Sequence, residues 1–210
     1  MEEKKIKHYS SWQQILLVGE GDFSFALCLA NAFGSASNIV ATSLDSKESL
    51  AWKYYGASTN LDELEKLGCT LVHEVTCHGM NYHPVLENKL FDRIVFNFPH
   101  AGFPAKESDL RHIMRHKEVV KGFLKSAREM LKEDGEVHVT HKTAYPYCEW
   151  EIVELAKEVE LSLVEEVPFE LYGYPGYINK RGDGSRCNQS FPVGQCSTYK
   201  FSKPLWYVFW

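Results

Sequence analysis

No apolar run in this chain approaches the 18 or so residues that a membrane-crossing helix needs. Its start, Met1-Glu2-Glu3-Lys4-Lys5-Ile6-Lys7-His8, has no apolar stretch of the kind that directs secretion. An intracellular protein with no membrane contact is therefore expected. None of the six cysteines forms a C-x-x-C pair, which argues against a structural zinc site, and no metal is assigned. Cys28 sits on the apolar side of a helical stretch and reads as core filling. Cys187 and Cys196 flank one loop and are expected to stay reduced inside a cell. Internal repeats, low-complexity tracts and linkers are all missing. With 210 residues and 44% hydrophobic content, one domain over 1–210 is expected, its core at about 12–202.

A positive balance is missing too. The net charge of −5 excludes a protein that simply coats nucleic acid. The charge is uneven, however. From Lys106 to Lys132 there are eight Lys and Arg against four Asp and Glu. From Lys180 to Lys203 there are five against one. Such basic regions can still meet RNA phosphates. The glutamate-rich run from Glu149 to Glu170 reads as a solvated face.

What the chain does contain is an alternation of strand and helix signals, which indicates a mainly parallel sheet with helices on both faces. Strands are predicted near 15–19, 38–44, 70–75, 91–97, 135–141, 161–168 and 196–201. Helices are predicted near 23–33, 46–55, 60–67, 109–132 and 149–160. Asn60 reads as an N-cap, and Gly135 as the breaker just past the long helix.

The segment Ile15-Leu16-Leu17-Val18-Gly19-Glu20-Gly21-Asp22-Phe23-Ser24-Phe25 reads as a buried strand, a tight turn and a helix start. That is the layout of a nucleotide-type cofactor site. Gly19 and Gly21 let backbone approach a ligand, and the helix start points free N–H groups at it. Glu20 and Asp22 would repel a pyrophosphate. They suit a cofactor with a cationic amino-acid end, so S-adenosylmethionine is expected. Asp45 ends the second strand 24 residues beyond Gly21, where a carboxylate can accept from ribose hydroxyls. Capping of the next helix is the plainer reading of Asp45. The fourth strand runs into Asn97-Phe98-Pro99-His100. This is close to the Asn-Pro-Pro-aromatic signature with which amino-methyltransferases hold a planar nitrogen, with His100 in place of the aromatic.

Together GEGDFSF, SLD, FDRIVFNFPHAG, EVHVTHK and GYINKRGDGSRCNQSFPVGQCSTYKF resemble the Rossmann-like family of large-subunit rRNA (uridine-N3) methyltransferases, closest to its plant members. The resemblance covers about 12–202. It implies a class I methyltransferase fold: a seven-stranded, mostly parallel sheet with an antiparallel last strand, placed at the edge. It also implies S-adenosylmethionine as cofactor, RNA as substrate and a nucleolar or nuclear setting; another substrate would suit the cytoplasm. Gly19, Glu20, Gly21, Asp22 and Phe23 would hold the methionine and ribose side. Many relatives carry Gly-Val-Asp-Ala-Thr after the third strand, and Thr76 stands here where that Asp would be. An adenine would then meet the Thr76 hydroxyl or a backbone carbonyl.

Uracil N3 must lose a proton before it can attack, and a histidine can take it near neutral pH. His100 is the first candidate and His141 the second, with Lys142 beside it for the developing oxyanion and Asn97 to orient the base. Pro99, Tyr177, Lys180 and Arg181 are the expected substrate contacts, since aromatics beside cations suit unpaired bases. His138 reads as structural, and His112 and His116 as surface or RNA-facing residues. Two other readings stay open: a methyltransferase of the same fold acting on a small molecule or protein, and an inactive binding module, which Thr76 would favour. The apolar tail Leu205–Trp210 could pack on the domain, meet a partner or be an alternative-transcript end.

Overall fold

A computed structural model describes residues 2–204; the aromatic tail lies outside them. A two-stranded hairpin, β1 (Lys5–Ile6) and β2 (Tyr9–Ser10), precedes the main domain. The rest follows the predicted alternation. β3 (Ile15–Val18) leads to α1 (Ser24–Phe33), β4 (Ile39–Thr42), α2 (Lys47–Lys53), α3 (Ala57–Lys66) and β5 (Thr70–Val72). Then come β6 (Phe91–Asn97), α4 (Leu110–Glu129), β7 (Leu131–Lys142), α5 (Ile152–Glu158), β8 (Ser162–Pro168) and β9 (Cys196–Ser202).

Seven strands form one sheet in the order β5-β4-β3-β6-β7-β9-β8. β5, β4, β3, β6 and β7 pair in parallel, and β9 pairs antiparallel with both β7 and β8. This is the expected class I methyltransferase architecture with one correction. The antiparallel last strand lies inside the sheet, because β8 takes the edge. β8 can do so because it is mostly exposed and carries Glu165 and Glu166, a composition that tolerates water.

All four residues of β3 are buried, as a central parallel strand requires. Leu16 and Val18 join the core under α4 and α5, while Ile15 and Leu17 join the core under α1 and α3. The chain turns one way from β3 to β4 and the other way to β6, and this switch point opens a crevice at the carboxyl ends of these strands.

Two helix boundaries differ from expectation. α3 begins at Ala57 after Gly56, so Asn60 lies inside the helix and caps nothing. α4 stops at Glu129, and Gly135 lies within β7 near an irregularity in its pairing with β6. Burial of Leu131 in the β7 ladder outweighs its helix propensity.

Candidate active site

The glycine turn after β3 is held by three elements at once. Gly19 has φ 68°, and a Cβ there would lie 2.4 Å from Phe96 Cε2 on β6, so no larger residue fits. The Glu20 N–H donates to the Thr42 carbonyl at 2.8 Å. Asn60 on α3 donates from Nδ2 to the Asp22 carbonyl at 2.7 Å. Asp22 Oδ1 accepts from the Ser24 N–H at 3.0 Å, which starts α1. Glu20 Oε2 accepts from the Ala26 N–H at 3.1 Å. Burial nonetheless pushes the Glu20 carboxyl up to about 8, against the pull of that N–H. Phe23 does not line the crevice, contrary to expectation. Its backbone is left-handed at φ 60°, and its ring turns into the core beside His73.

The crevice holds about 600 Å³. Gly19, Glu20, Gly21, Asp22, Asp45, Thr76 and Asn97 all line it. Thr76 sits exposed at its rim. Asp45 is paired with Lys53 at 2.5 Å. Both amide atoms of Asn97 are buried without a partner, a costly state for a side chain at the floor of a cavity. Tyr177 also lines this crevice and packs edge-on against Phe25, so it belongs to this side and not to the expected substrate side.

A second cavity of about 570 Å³ adjoins the first. Phe98, His100, Lys180, Arg181 and Asp183 line both. Its further walls include Pro99, Lys142, Arg186, Phe103, Tyr147 and Phe191. The Lys142 ammonium lies 4.9 Å from the ring centroids of both Tyr147 and Phe191, and burial lowers its pKa despite the opposing field of Glu107. The aromatic lining is thus Phe98, Phe103, Tyr147 and Phe191, without the expected Tyr177. Tyr174 is buried and stacks on Phe169, and Tyr172 faces solvent.

The histidines divide sharply. His100 lies where the cavities meet, and its Nε2 is 3.0 Å from Glu107 Oε1. His141 is buried beside Trp150, with Nε2 facing the Tyr147 carbonyl at 3.2 Å; burial pushes it down to about 4. His138 is structural as expected, wedged between Tyr9 and Glu136. His112 and His116 are not surface residues: they are 1% and 0% exposed, because the face of α4 that carries them turns inward against Trp150 and the loop from β6. His100, Glu107, His112 and His116 have metal-capable atoms all within 4.8 Å of one another.

Several site residues escaped sequence reasoning: Phe96, Lys53, Tyr54, Asn60 and Glu107. Tyr54 donates to the Gly182 carbonyl at 3.1 Å, and Ser24 bonds the backbone of Ile178 at 3.0 Å, so the late loop is tied over the crevice. Only the His112/His116 spacing offered a sequence signal, since residues four apart share a helix face.

A family model described as rRNA (uridine-N3-)-methyltransferase BTM5-like matches residues 16–181. An uncharacterized Arabidopsis thaliana protein is 55% identical, covering 96% of this chain and 98% of its own length. Heavy metal-associated isoprenylated plant protein 41 of Arabidopsis thaliana is 54% identical, but this chain spans only 39% of it. The Saccharomyces cerevisiae 25S rRNA (uridine(2634)-N(3))-methyltransferase is 23% identical over 86% of this chain and 69% of its own. Among solved structures, a glycopeptide N-methyltransferase complexed with sinefungin matches with TM-score 0.56 and 13% identity, over 90% of this chain and 80% of that one.

Proposed function

This chain belongs to the BMT5-like methyltransferase family, and on that premise we propose that it methylates N3 of a uridine in ribosomal RNA. The cofactor is S-adenosylmethionine, and the crevice suits it. Glu20 and Asp22 line the crevice where a sulfonium and an ammonium would sit, with Lys180 yielding its 3.7 Å ion pair to Asp22 and the bound cation drawing the proton off Glu20. Asp45 would accept from ribose hydroxyls, with Lys53 yielding part of its ion pair. When bound, the cofactor supplies an electrophilic methyl carbon.

The observation that carries the substrate reading is the union of two unlike cavities at His100. One is lined by the glycine turn and by Glu20, Asp22 and Asp45; the other is lined by aromatics and by Lys142 and Arg186, with Arg181 between them. A flipped base would stack among the aromatics while cations meet its phosphates. The unpartnered Asn97 amide would pair with the edge of the base. His100 would take the imide proton, help worth roughly 10²–10⁴ in rate. His141 is too enclosed by Trp150 and Tyr147 to serve, so its role is to support the cavity wall. A nucleolar setting follows from that substrate. No helix among the described residues is long and apolar enough to cross a membrane.

The test is incubation of the purified chain with large-subunit rRNA transcripts, followed by nucleoside analysis. 3-Methyluridine formed by the chain, and lost with His100→Gln, is the expected result. Methyl transfer to another acceptor, with none to uridine, would move the substrate to a different class.

A further inference from the structure

Resting on the reading above, we propose that Glu107 and His116 are positioning residues that fix His100 in the tautomer able to accept the imide proton. Glu107 lies between two imidazoles. Its Oε1 is 3.0 Å from His100 Nε2, and its Oε2 is 3.4 Å from His116 Nε2. The His116 ring is fully buried and stacks on Trp150 at 4.1 Å, so it cannot turn away. Its Nδ1 accepts the Ala101 N–H at 3.0 Å. An imidazole nitrogen that accepts is unprotonated, so the ring proton of His116 sits on Nε2, the nitrogen on the Glu107 side, which at 3.4 Å is a neighbour of the carboxylate and not hydrogen-bonded to it.

The carboxyl between them stays ionised. Burial alone would push Glu107 up, but the hydrogen bond from His100 and the neighbouring His116 ring outweigh it and hold the group well below the ordinary carboxylate range. An ionised carboxylate can only accept. His100 therefore carries its proton on Nε2, toward Glu107, and keeps the lone pair on Nδ1. That Nδ1 is buried and has no partner in the protein. When the imide N3–H bond breaks, the proton passes to Nδ1 and a new N–H bond forms there. The positive charge that results on the ring lies beside the Glu107 carboxylate, which need not move a proton itself. The Phe103 ring, 4.1 Å from His100, must shift for a base to reach this atom.

The same side chains invite a metal reading, since His112 has both ring nitrogens buried without partners. His116 speaks against it. A metal on its Nε2 would require a proton on Nδ1, where the Ala101 N–H already points.

Nitrogen-15 ring spectra of the full chain, without RNA, test the tautomers directly. His100 and His116 should both carry the proton on Nε2 at neutral pH. Glu107→Gln should disturb this at His100 and lower kcat by about ten- to hundredfold, with KM for RNA and cofactor affinity unchanged. Glu107→Asp should recover part of the loss. A proton on Nδ1 of His100, an unaltered kcat in Glu107→Gln, or one zinc per purified chain lost together with His100 ring shifts on chelation would each overturn the proposal. Failure of RNA methylation alone, with the expected tautomers, would strike the uridine reading instead.

Discussion

A methyl group on Gly19 would meet Phe96 Cε2 at 2.4 Å, at a backbone φ of 68°. Gly19→Ala should therefore cost about 1–3 kcal/mol, seen as a lower urea midpoint, and weaken S-adenosylmethionine binding in titration calorimetry. The need for glycine at this turn is legible in the sequence, because a strand running into G-x-G has few other uses. Its cause is not, since Phe96 lies 77 residues away on β6. Asn97 repeats the pattern. Its place at a strand end could be read from the hydrophobic run before it, but only the packed structure leaves its amide without a partner. Phe23 shows the limit most plainly. It lies inside the cofactor motif, yet the left-handed backbone turns its ring into the core.

Among the elements, α4 has most to carry. Asp109 caps it, Oδ1 accepting from the N–H groups of Arg111 at 2.9 Å and His112 at 3.2 Å. The helix then delivers His112 and His116 into the core behind His100. Asp109→Ala should lower stability by about 1 kcal/mol in chemical denaturation. It should also raise hydrogen exchange in the first turn of α4 more than in its last. The strands were legible almost throughout, since parallel strands buried on both faces write themselves as continuous apolar runs. Helix starts were less so. Asn60 has the composition of a cap, but Gly56 opens α3 a turn earlier and frees Asn60 to hold the Asp22 carbonyl. Local propensity yielded there to a contact 38 residues distant.

For the whole molecule, the buried titratable groups set how stability depends on pH. Burial first of all lowers His8 to about 3 and His141 to about 4. Their folded values lie below the unfolded value of 6.5, so the stability they contribute is present above 6.5 and is lost as pH falls toward 4. Glu20 has the opposite sign. Its folded value near 8 lies above the unfolded 4.5, so the folded state holds the proton longer and stability falls as pH rises through that window. Below 6.5 the histidines oppose and outnumber it. Above 6.5 it acts without them. Melting temperature should peak near pH 6.5, and Glu20→Gln should flatten the decline between there and pH 8. A decline of the same steepness in the variant would mean that Glu20 titrates normally. RNA binding should also follow salt despite the net charge of −5, because the cations gather at one cavity. Exposed Arg186 lines it, so Arg186→Ala should reduce the log–log salt slope by about 0.7 and leave cofactor affinity intact.

Hydrophobic periodicity, the acidic glycine turn and the strand-end Asp45, Asn97 and His100 together determined the parallel sheet, the crevice at its carboxyl ends and the place of His100 beside it. These are local properties, set by residues within a few positions of one another. Tertiary structure decided which histidines are buried, what stands behind His100, and that the aromatic wall comes from Phe98, Phe103, Tyr147 and Phe191 and not from the expected Tyr177. It also decided that the last strand lies inside the sheet. Those outcomes depend on which helix face turns inward and on which loop closes over which strand. Such choices minimise the exposed apolar surface of the whole chain, and no short segment encodes them alone.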